Sequence, residues 1–240
     1  MTGPALRVSR SHFPVTALGP GRRLGVWVQG CPLACKGCMS LDTWDPGGGT
    51  DVPVDEMADR WRDAVRQGAV GLTVSGGEPL AQPGPTAAFL EAVHRVRDEV
   101  SGALDILMFT GFTPEEFDAG QRLAASYADV LITGRYEAAQ PTRLVWRGSA
   151  NQRMLLQSEL GHRRYAPYLA LEPERPPLQL RADDHGAWIV GVPLRGTLPR
   201  LDRELRRRGL NADAVSWRPS VRNQRDGADG SGPHDDGVTP

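Results

Sequence analysis

Lysine is nearly missing from this chain: Lys36 is the only one among 28 basic residues, so the positive charge is almost all arginine. An excess of either sign is missing as well. A net charge of −1 at pH 7 excludes bulk attraction to nucleic acid or to an anionic membrane surface, and neither is expected as a partner. No apolar run is long enough to cross a bilayer and no secretory leader is recognisable, so the expected location is the cytoplasm. Cysteine is scarce and odd in number, at three residues, which argues against a disulfide framework in a reducing compartment. The chain does have 40% hydrophobic residues over 240 positions, enough for a packed core of one domain or one and a half.

All three cysteines fall in one window, Cys31-Pro32-Leu33-Ala34-Cys35-Lys36-Gly37-Cys38. Three thiolates at C-x3-C-x2-C spacing can hold three irons of a [4Fe–4S] cluster, leaving the last iron an open position for a small molecule. The alternative is a zinc site of three Cys and one His. The nearest histidine, His12, lies well upstream, and no second C-x2-C pair occurs.

Strand-like and helix-like stretches alternate between Leu24 and Gln157. Leu24–Gln29 reads as a strand entering the cysteine loop, and Asp55–Gln67 as a helix with Met57, Trp61, Ala64 and Val65 on one face. Val70–Ser75 is a second strand, Pro85–Val100 a second helix, Leu104–Thr110 a third strand and Asp129–Thr133 a fourth. Thr113-Pro114-Glu115-Glu116 has the pattern of a capping box with proline at the first helical position. Such alternation predicts parallel βαβ units. A complete eightfold barrel needs about 250 residues, so five or six units in an open partial barrel fit this core better.

Beyond Gln157 the character changes. Residues 171–177 read as a linker, and Leu178–Arg181 with Ala187–Val192 as a hairpin. Leu198–Arg208 reads as a basic helix ended by Gly209, and Val215–Arg218 as a last strand. From Pro219 onward Gly, Asp, Ser and Pro dominate, which predicts disorder. The expected division is a core over 1–157, a small α+β module over 158–218 and a tail over 219–240.

Ser75-Gly76-Gly77-Glu78-Pro79 follows a strand and precedes a helix. Strand ends of a parallel sheet are where ligands sit, and paired glycines let a backbone approach one closely. A carboxylate in that turn can pair with an ammonium group; by itself the stretch is also an ordinary glycine-rich turn.

These two motifs, in this order, resemble the radical S-adenosylmethionine (radical SAM) enzymes. Nearer still is the similarity to the anaerobic ribonucleotide reductase activating enzymes, a short glycyl-radical activase branch. It is carried by Gly19-Pro20-Gly21-Arg22-Arg23, Gly30-Cys31, Asp42-Thr43-Trp44 and Thr110-Gly111-Phe112-Thr113. The stretch from Asp129 to Tyr136 and the closing motif Arg147-Gly148-Ser149-Ala150-Asn151-Gln152-Arg153 extend it. The similarity covers roughly residues 10 to 157. Two departures stand out: Gly37 precedes the third cysteine where an aromatic is frequent, and Met39-Ser40 follows it where the branch usually has Tyr-Asn. Met39 is expected to supply soft apolar contact in place of the aromatic.

The resemblance implies a cluster held by Cys31, Cys35 and Cys38, with S-adenosylmethionine in the open position. It implies that Gly76, Gly77 and Glu78 bind the methionine end and that Thr110 and Gly111 lie near the ribose. Arg147, Ser149, Asn151 and Gln152 would line the cofactor or the partner-facing edge, and Arg135 would anchor a carboxylate. The implied reaction is one-electron cleavage to a 5′-deoxyadenosyl radical, fed by a flavodoxin- or ferredoxin-like donor. That radical takes hydrogen from a backbone glycine of a large partner enzyme. Two other readings stay open: radical modification of another protein or peptide, and a non-catalytic metal-binding scaffold.

Overall fold

A computed structural model describes residues 3–100, 102–183 and 186–209. The expected strand at 215–218 and the expected disordered tail from 219 lie outside these described residues. In chain order the elements are β1 (Ala5–Val15), β2 (Arg23–Val28), β3 (Thr50–Pro53), α1 (Val54–Arg66), β4 (Gly71–Gly76) and α2 (Pro83–Glu99). There follow β5 (Asp105–Thr110), α3 (Ala119–Ser126), β6 (Val130–Thr133), β7 (Arg153–Leu156) and α4 (Glu159–Tyr165). Last come β8 (Leu178–Asp183), β9 (Gly186–Gly191) and α5 (Thr197–Arg207).

Seven strands form one sheet in the order β3-β1-β2-β4-β5-β6-β7. Strands β2, β4, β5 and β6 are parallel neighbours. Both flanks are antiparallel, with β1 against β2, β3 against β1 and β7 against β6. The sequence pattern points to five or six βα units; among the described residues four parallel strands are present. The difference comes from the connections, because β6 returns as β7 without an intervening α-helix and β1 turns directly back into β2. An antiparallel return needs no crossover helix.

Side chains alternate across the parallel strands. Ile106 and Met108 of β5 join a core under α1, α2 and α3, while Leu107 joins a second core on the opposite face. Helix α1 buries Met57, Trp61 and Ala64, spaced for one helical face. Helix α2 buries Phe89, Leu90, Val93 and Val96 in the same way. The second face carries Trp27, Val145, Trp146 and Tyr165.

One buried ion cluster fastens the N-terminal ends of the strands. Arg23 opens β2 and Asp105 opens β5, and neither is exposed. The Arg23 guanidinium donates to Asp105 Oδ1 at 2.6 Å and to Thr73 Oγ1 at 2.7 Å. Tyr165 of α4 donates its hydroxyl to Asp105 Oδ1 at 2.5 Å, and Arg164 pairs with Oδ2 at 2.9 Å. Helix α4, just past residue 157, is thereby bonded directly to the strand ends of the sheet.

The two-stranded β8–β9 hairpin is attached to the core through Gln179. Its Oε1 accepts the N–H groups of Thr16 at 2.7 Å and Ala17 at 3.1 Å, and its Nε2 donates to the Pro14 carbonyl at 3.3 Å. Val190 of β9 is buried in the second core.

Candidate active site

The cysteine loop leaves the C-terminal end of β2 and turns at Gly30, whose φ of +91° favours glycine. Its far end folds back on its start. Gly30 N–H donates to the Thr43 carbonyl at 2.8 Å, Cys31 N–H to that of Trp44 at 3.1 Å, and the Gln29 side chain to that of Asp45 at 2.7 Å. The loop is thereby closed on itself at the sheet's C-terminal edge, with its three thiols free and half-buried.

Burial pushes the Cys31 thiol up, and the charges of Glu78 and Cys38 add to this; burial and Cys38 do the same for Cys35. Backbone N–H groups act in the opposite sense, those of Leu33 and Ala34 at Cys31 and that of Tyr136 at Cys35. Ser40 N–H donates to Cys38 Sγ at 3.4 Å. Backbone donors around sulfur are the second shell that stabilises cluster thiolates. Among the described residues no three His, Cys, Asp or Glu side chains are gathered tightly enough for a single ion. Three soft thiolate donors on one closed loop are a donor set that suits an iron–sulfur cluster.

The Gly-Gly-Glu-Pro turn packs against the start of this loop. Gly77 N–H donates to the Val28 carbonyl at 2.9 Å and Glu78 N–H to that of Gly30 at 2.8 Å. A Cβ on Gly77 would lie 2.3 Å from the Gly30 carbonyl oxygen. The glycine is required by contact with the cysteine loop itself. Gly77→Val is expected to displace Gly30 and to cut iron content after reconstitution several-fold. Wild-type iron content and cofactor affinity in that variant would refute the assignment.

Glu78 points inward, 1% exposed. Its Oε1 accepts from Leu80 N at 2.9 Å and from the Thr110 hydroxyl at 2.8 Å, and its Oε2 from Gly111 N at 2.7 Å. The expected cofactor residues Gly76, Gly77, Glu78, Thr110 and Gly111 are thus brought together, with Glu78 joining the ends of β4 and β5. Gly111 touches the loop as well, since a Cβ there would lie 2.3 Å from Leu33 Cδ1. Burial outweighs the three hydrogen bonds and pushes the Glu78 carboxyl up to about 7 from 4.5. A raised folded-state value means that the stability Glu78 contributes is present below about pH 4.5 and is lost as pH rises through about 7. The difference corresponds to roughly 3 kcal/mol. In cluster-free protein, denaturant titrations from about pH 5 to 8 should show wild type losing stability relative to Glu78→Gln by about that amount. Parallel pH curves for the two proteins would contradict it.

The closing motif also binds backbone around it, and its Gly148 and Gln152 reach the cavity beside the cysteine loop. Arg147 donates to the carbonyls of Tyr168 and Leu169, at 3.2 and 2.7 Å. Ser149 Oγ accepts from Glu137 N at 3.0 Å, and Asn151 Nδ2 donates to the Arg135 carbonyl at 2.8 Å. Gln152 spans Gly148 N and the Gly134 carbonyl, at 2.7 and 2.8 Å. Together these bonds fix the segment after β6 and place Tyr136. Arg135 is occupied in an ion pair with Glu116 at 2.7 Å. Tyr136 was not among the residues singled out from the sequence. A Cβ on Gly37 would meet its ring at 3.4 Å, so an aromatic from another part of the chain lies beside the position before Cys38.

A cavity of about 330 Å³ opens beside the loop on the sheet face away from α1–α3. Its walls include Trp27, Cys38, Met39, Ser75, Phe109 and Tyr136, with Gln152 and Trp146 further round. Met39 is part of this wall. Among the described residues no helix is long and apolar enough to cross a membrane.

Comparison with known proteins agrees with this chemistry. The family model described as "4Fe-4S single cluster domain" matches residues 17–155, more than half of the chain, and the cofactors are a [4Fe–4S] cluster and S-adenosylmethionine. This is a radical SAM protein. Its relatives include the anaerobic ribonucleoside-triphosphate reductase-activating proteins of Vibrio cholerae, 37% identical, and Haemophilus influenzae, 40% identical. Each alignment spans 147 residues, 59% of this chain and 92% of the relative. The chain belongs to the family of anaerobic ribonucleoside-triphosphate reductase-activating proteins. Among solved structures, QueE from Escherichia coli aligns over 86% of this chain and 92% of its own at 11% identity and a TM-score of 0.38, a likeness too slight to carry weight.

Proposed function

We propose that this chain activates a glycyl-radical enzyme, with an anaerobic ribonucleoside-triphosphate reductase as the partner its relatives' names indicate. The observation that carries the reading is the joining of two motifs distant in sequence, through the Glu78–Gly30 backbone hydrogen bond at 2.8 Å. It puts the glycine turn directly beside the thiolate loop.

Cys31, Cys35 and Cys38 hold the cluster in this reading. When bound there, the cluster and S-adenosylmethionine supply a one-electron reductive cleavage to methionine and a 5′-deoxyadenosyl radical, which takes a hydrogen atom from the substrate. The protein's own part is to bind, orient and exclude water. Raised thiol pKa values at Cys31 and Cys35 mean that loading the cluster releases protons, so loading improves with pH. Gly76 and Gly77 would hold the methionine end, and Glu78 acts by fixing Thr110 and Gly111 rather than as a free carboxylate. The apolar walls of Trp27, Met39, Phe109 and Tyr136 keep water from the reacting atoms. We read the sheet as a partial barrel of radical SAM type, with the cavity on its inner face. A flavodoxin- or ferredoxin-like donor is the proposed electron source, and the cytosol its setting.

The C-terminal segment lining the cavity favours a second reading, in which the substrate is a different protein or peptide. Anaerobic assay with a purified reductase separates the two. Activation predicts a glycyl-radical electron paramagnetic resonance signal on the reductase that depends on this protein, S-adenosylmethionine and reductant. Cofactor cleavage without any signal on the reductase would move the proposal to another polypeptide.

A further inference from the structure

One wall of the cavity comes from outside the family match at residues 17–155: Val192, Leu194 and Leu198, from the segment after β9 and the first turn of α5, face Trp27, Met39 and Phe109 across it. We propose that residues 192–199 form a lid over the radical chamber, which a polypeptide substrate must lift to reach the reacting atoms. The proposal rests on the radical SAM reading, because the chamber is the one beside the cysteine loop.

The attachment of this segment differs at its two ends. The hairpin before it is pinned by Gln179 to the backbone of Pro14, Thr16 and Ala17, and Val190 is buried. After Gly191 the pinning stops. Among the described residues no hydrogen bond or ion pair joins residues 192–199 to the core; the bonds present, Thr197 N to the Leu194 carbonyl and Arg200 N to the Gly196 carbonyl, are local. Helix α5 has no buried residue. Among the described residues the segment is held over the chamber by side-chain packing, with Val192, Leu194 and Leu198 apolar and Arg195 the one charged residue it adds to the lining; apolar contact is the kind that a competing apolar surface can replace.

Two left-handed glycines serve the segment, Gly191 immediately before it and Gly196 within it. Gly191 has φ +123°, and a Cβ there would lie 2.4 Å from the Pro177 carbonyl oxygen, so its position is fixed by the hairpin. Gly196 has φ +86° and nothing within 4 Å of its Cβ position, so it is free to turn. An anchored glycine, a short apolar strap and an unobstructed glycine are the parts of a hinged cover. Closed, it excludes water from the chamber. Open, it clears the side of the cavity opposite the sheet for a polypeptide segment.

Cys38 lines the chamber, whereas Cys31 and Cys35 are not among its walls. Trypsin cleaves after Lys36 and places Cys38 on a separate peptide from the other two. Alkylation of the full-length, cluster-free chain with iodoacetamide, followed by peptide mass analysis, therefore reads the lid with an internal control. Leu194→Asp and Leu198→Asp place a charge against the apolar wall and are expected to speed Cys38 alkylation roughly tenfold while leaving the Cys31–Cys35 peptide unchanged. Faster alkylation on both peptides marks unfolding of that variant; Leu198→Ser and Gly196→Ala, milder changes in the same segment, then decide. Unchanged Cys38 alkylation in folded variants overturns the lid. In the reconstituted enzyme the same variants are expected to release more 5′-deoxyadenosine without partner than wild type. Wild-type enzyme that cleaves no S-adenosylmethionine refutes the radical SAM reading instead, a result independent of the alkylation pattern.

Discussion

Cys35→Ala is expected to leave the chain without its cluster. Reconstituted wild type should carry about four irons per chain, and the variant close to none, because two thiolates leave half of the cluster unligated. The fold should survive. Cys35 sits half-exposed on a loop that is closed by backbone bonds at Gly30 and Cys31, and no core residue depends on it. Circular dichroism of the cluster-free variant should match cluster-free wild type, while the visible absorption of the reconstituted protein disappears. A variant that keeps its iron would show that the loop is not the cluster site.

Asp105→Ala is expected to have the largest effect on stability. Asp105 is fully buried and receives Arg23 at 2.6 Å, the Tyr165 hydroxyl at 2.5 Å and Arg164 at 2.9 Å. Its removal leaves the buried Arg23 guanidinium without a counterion, which costs roughly 3–5 kcal/mol. For a domain of this size that corresponds to a fall in melting temperature of about 10 °C or more. Tyr165→Phe should cost far less, about 1 kcal/mol, since the ion pair persists. A melting temperature for Asp105→Ala within 2–3 °C of wild type, roughly 1 kcal/mol, would show that the cluster of charges contributes nothing net.

The parallel core was legible because its pattern is strong. The helix expected at 55–67 is α1 at Val54–Arg66, and the strand expected at 104–110 is β5 at Asp105–Thr110, each within a residue or two. The hairpin and the basic helix beyond it also lie where expected, at β8–β9 and α5. Strand β1 escaped notice because the alternation begun by Leu6 and Val8 breaks off at Arg10 and His12, both only partly buried. Strand β3 has four residues with one buried, too few to show a period. Helix α4 was missed for a different reason. Its seven residues include two arginines and a histidine, and its worth lies in Tyr165 and Arg164 reaching Asp105, some sixty residues away. No local pattern shows such a contact.

The same distinction holds at the site. The thiols and the glycine turn were legible from spacing because their chemistry dictates residue type. The closing motif was visible as a motif, but its side chains bind backbone: Arg147 holds Tyr168 and Leu169, and Gln152 holds Gly134. Tyr136 becomes a site residue only when the chain places it against Gly37. The absent aromatic before Cys38 was the one sequence signal at that position.

The most direct test of the central claim is anaerobic: iron-loaded protein, dithionite, S-adenosylmethionine, and chromatographic measurement of 5′-deoxyadenosine. The account predicts its release from wild type and its absence from Cys35→Ala. Wild-type protein that holds zinc in place of iron, or that holds a full iron complement and releases no 5′-deoxyadenosine, would contradict it.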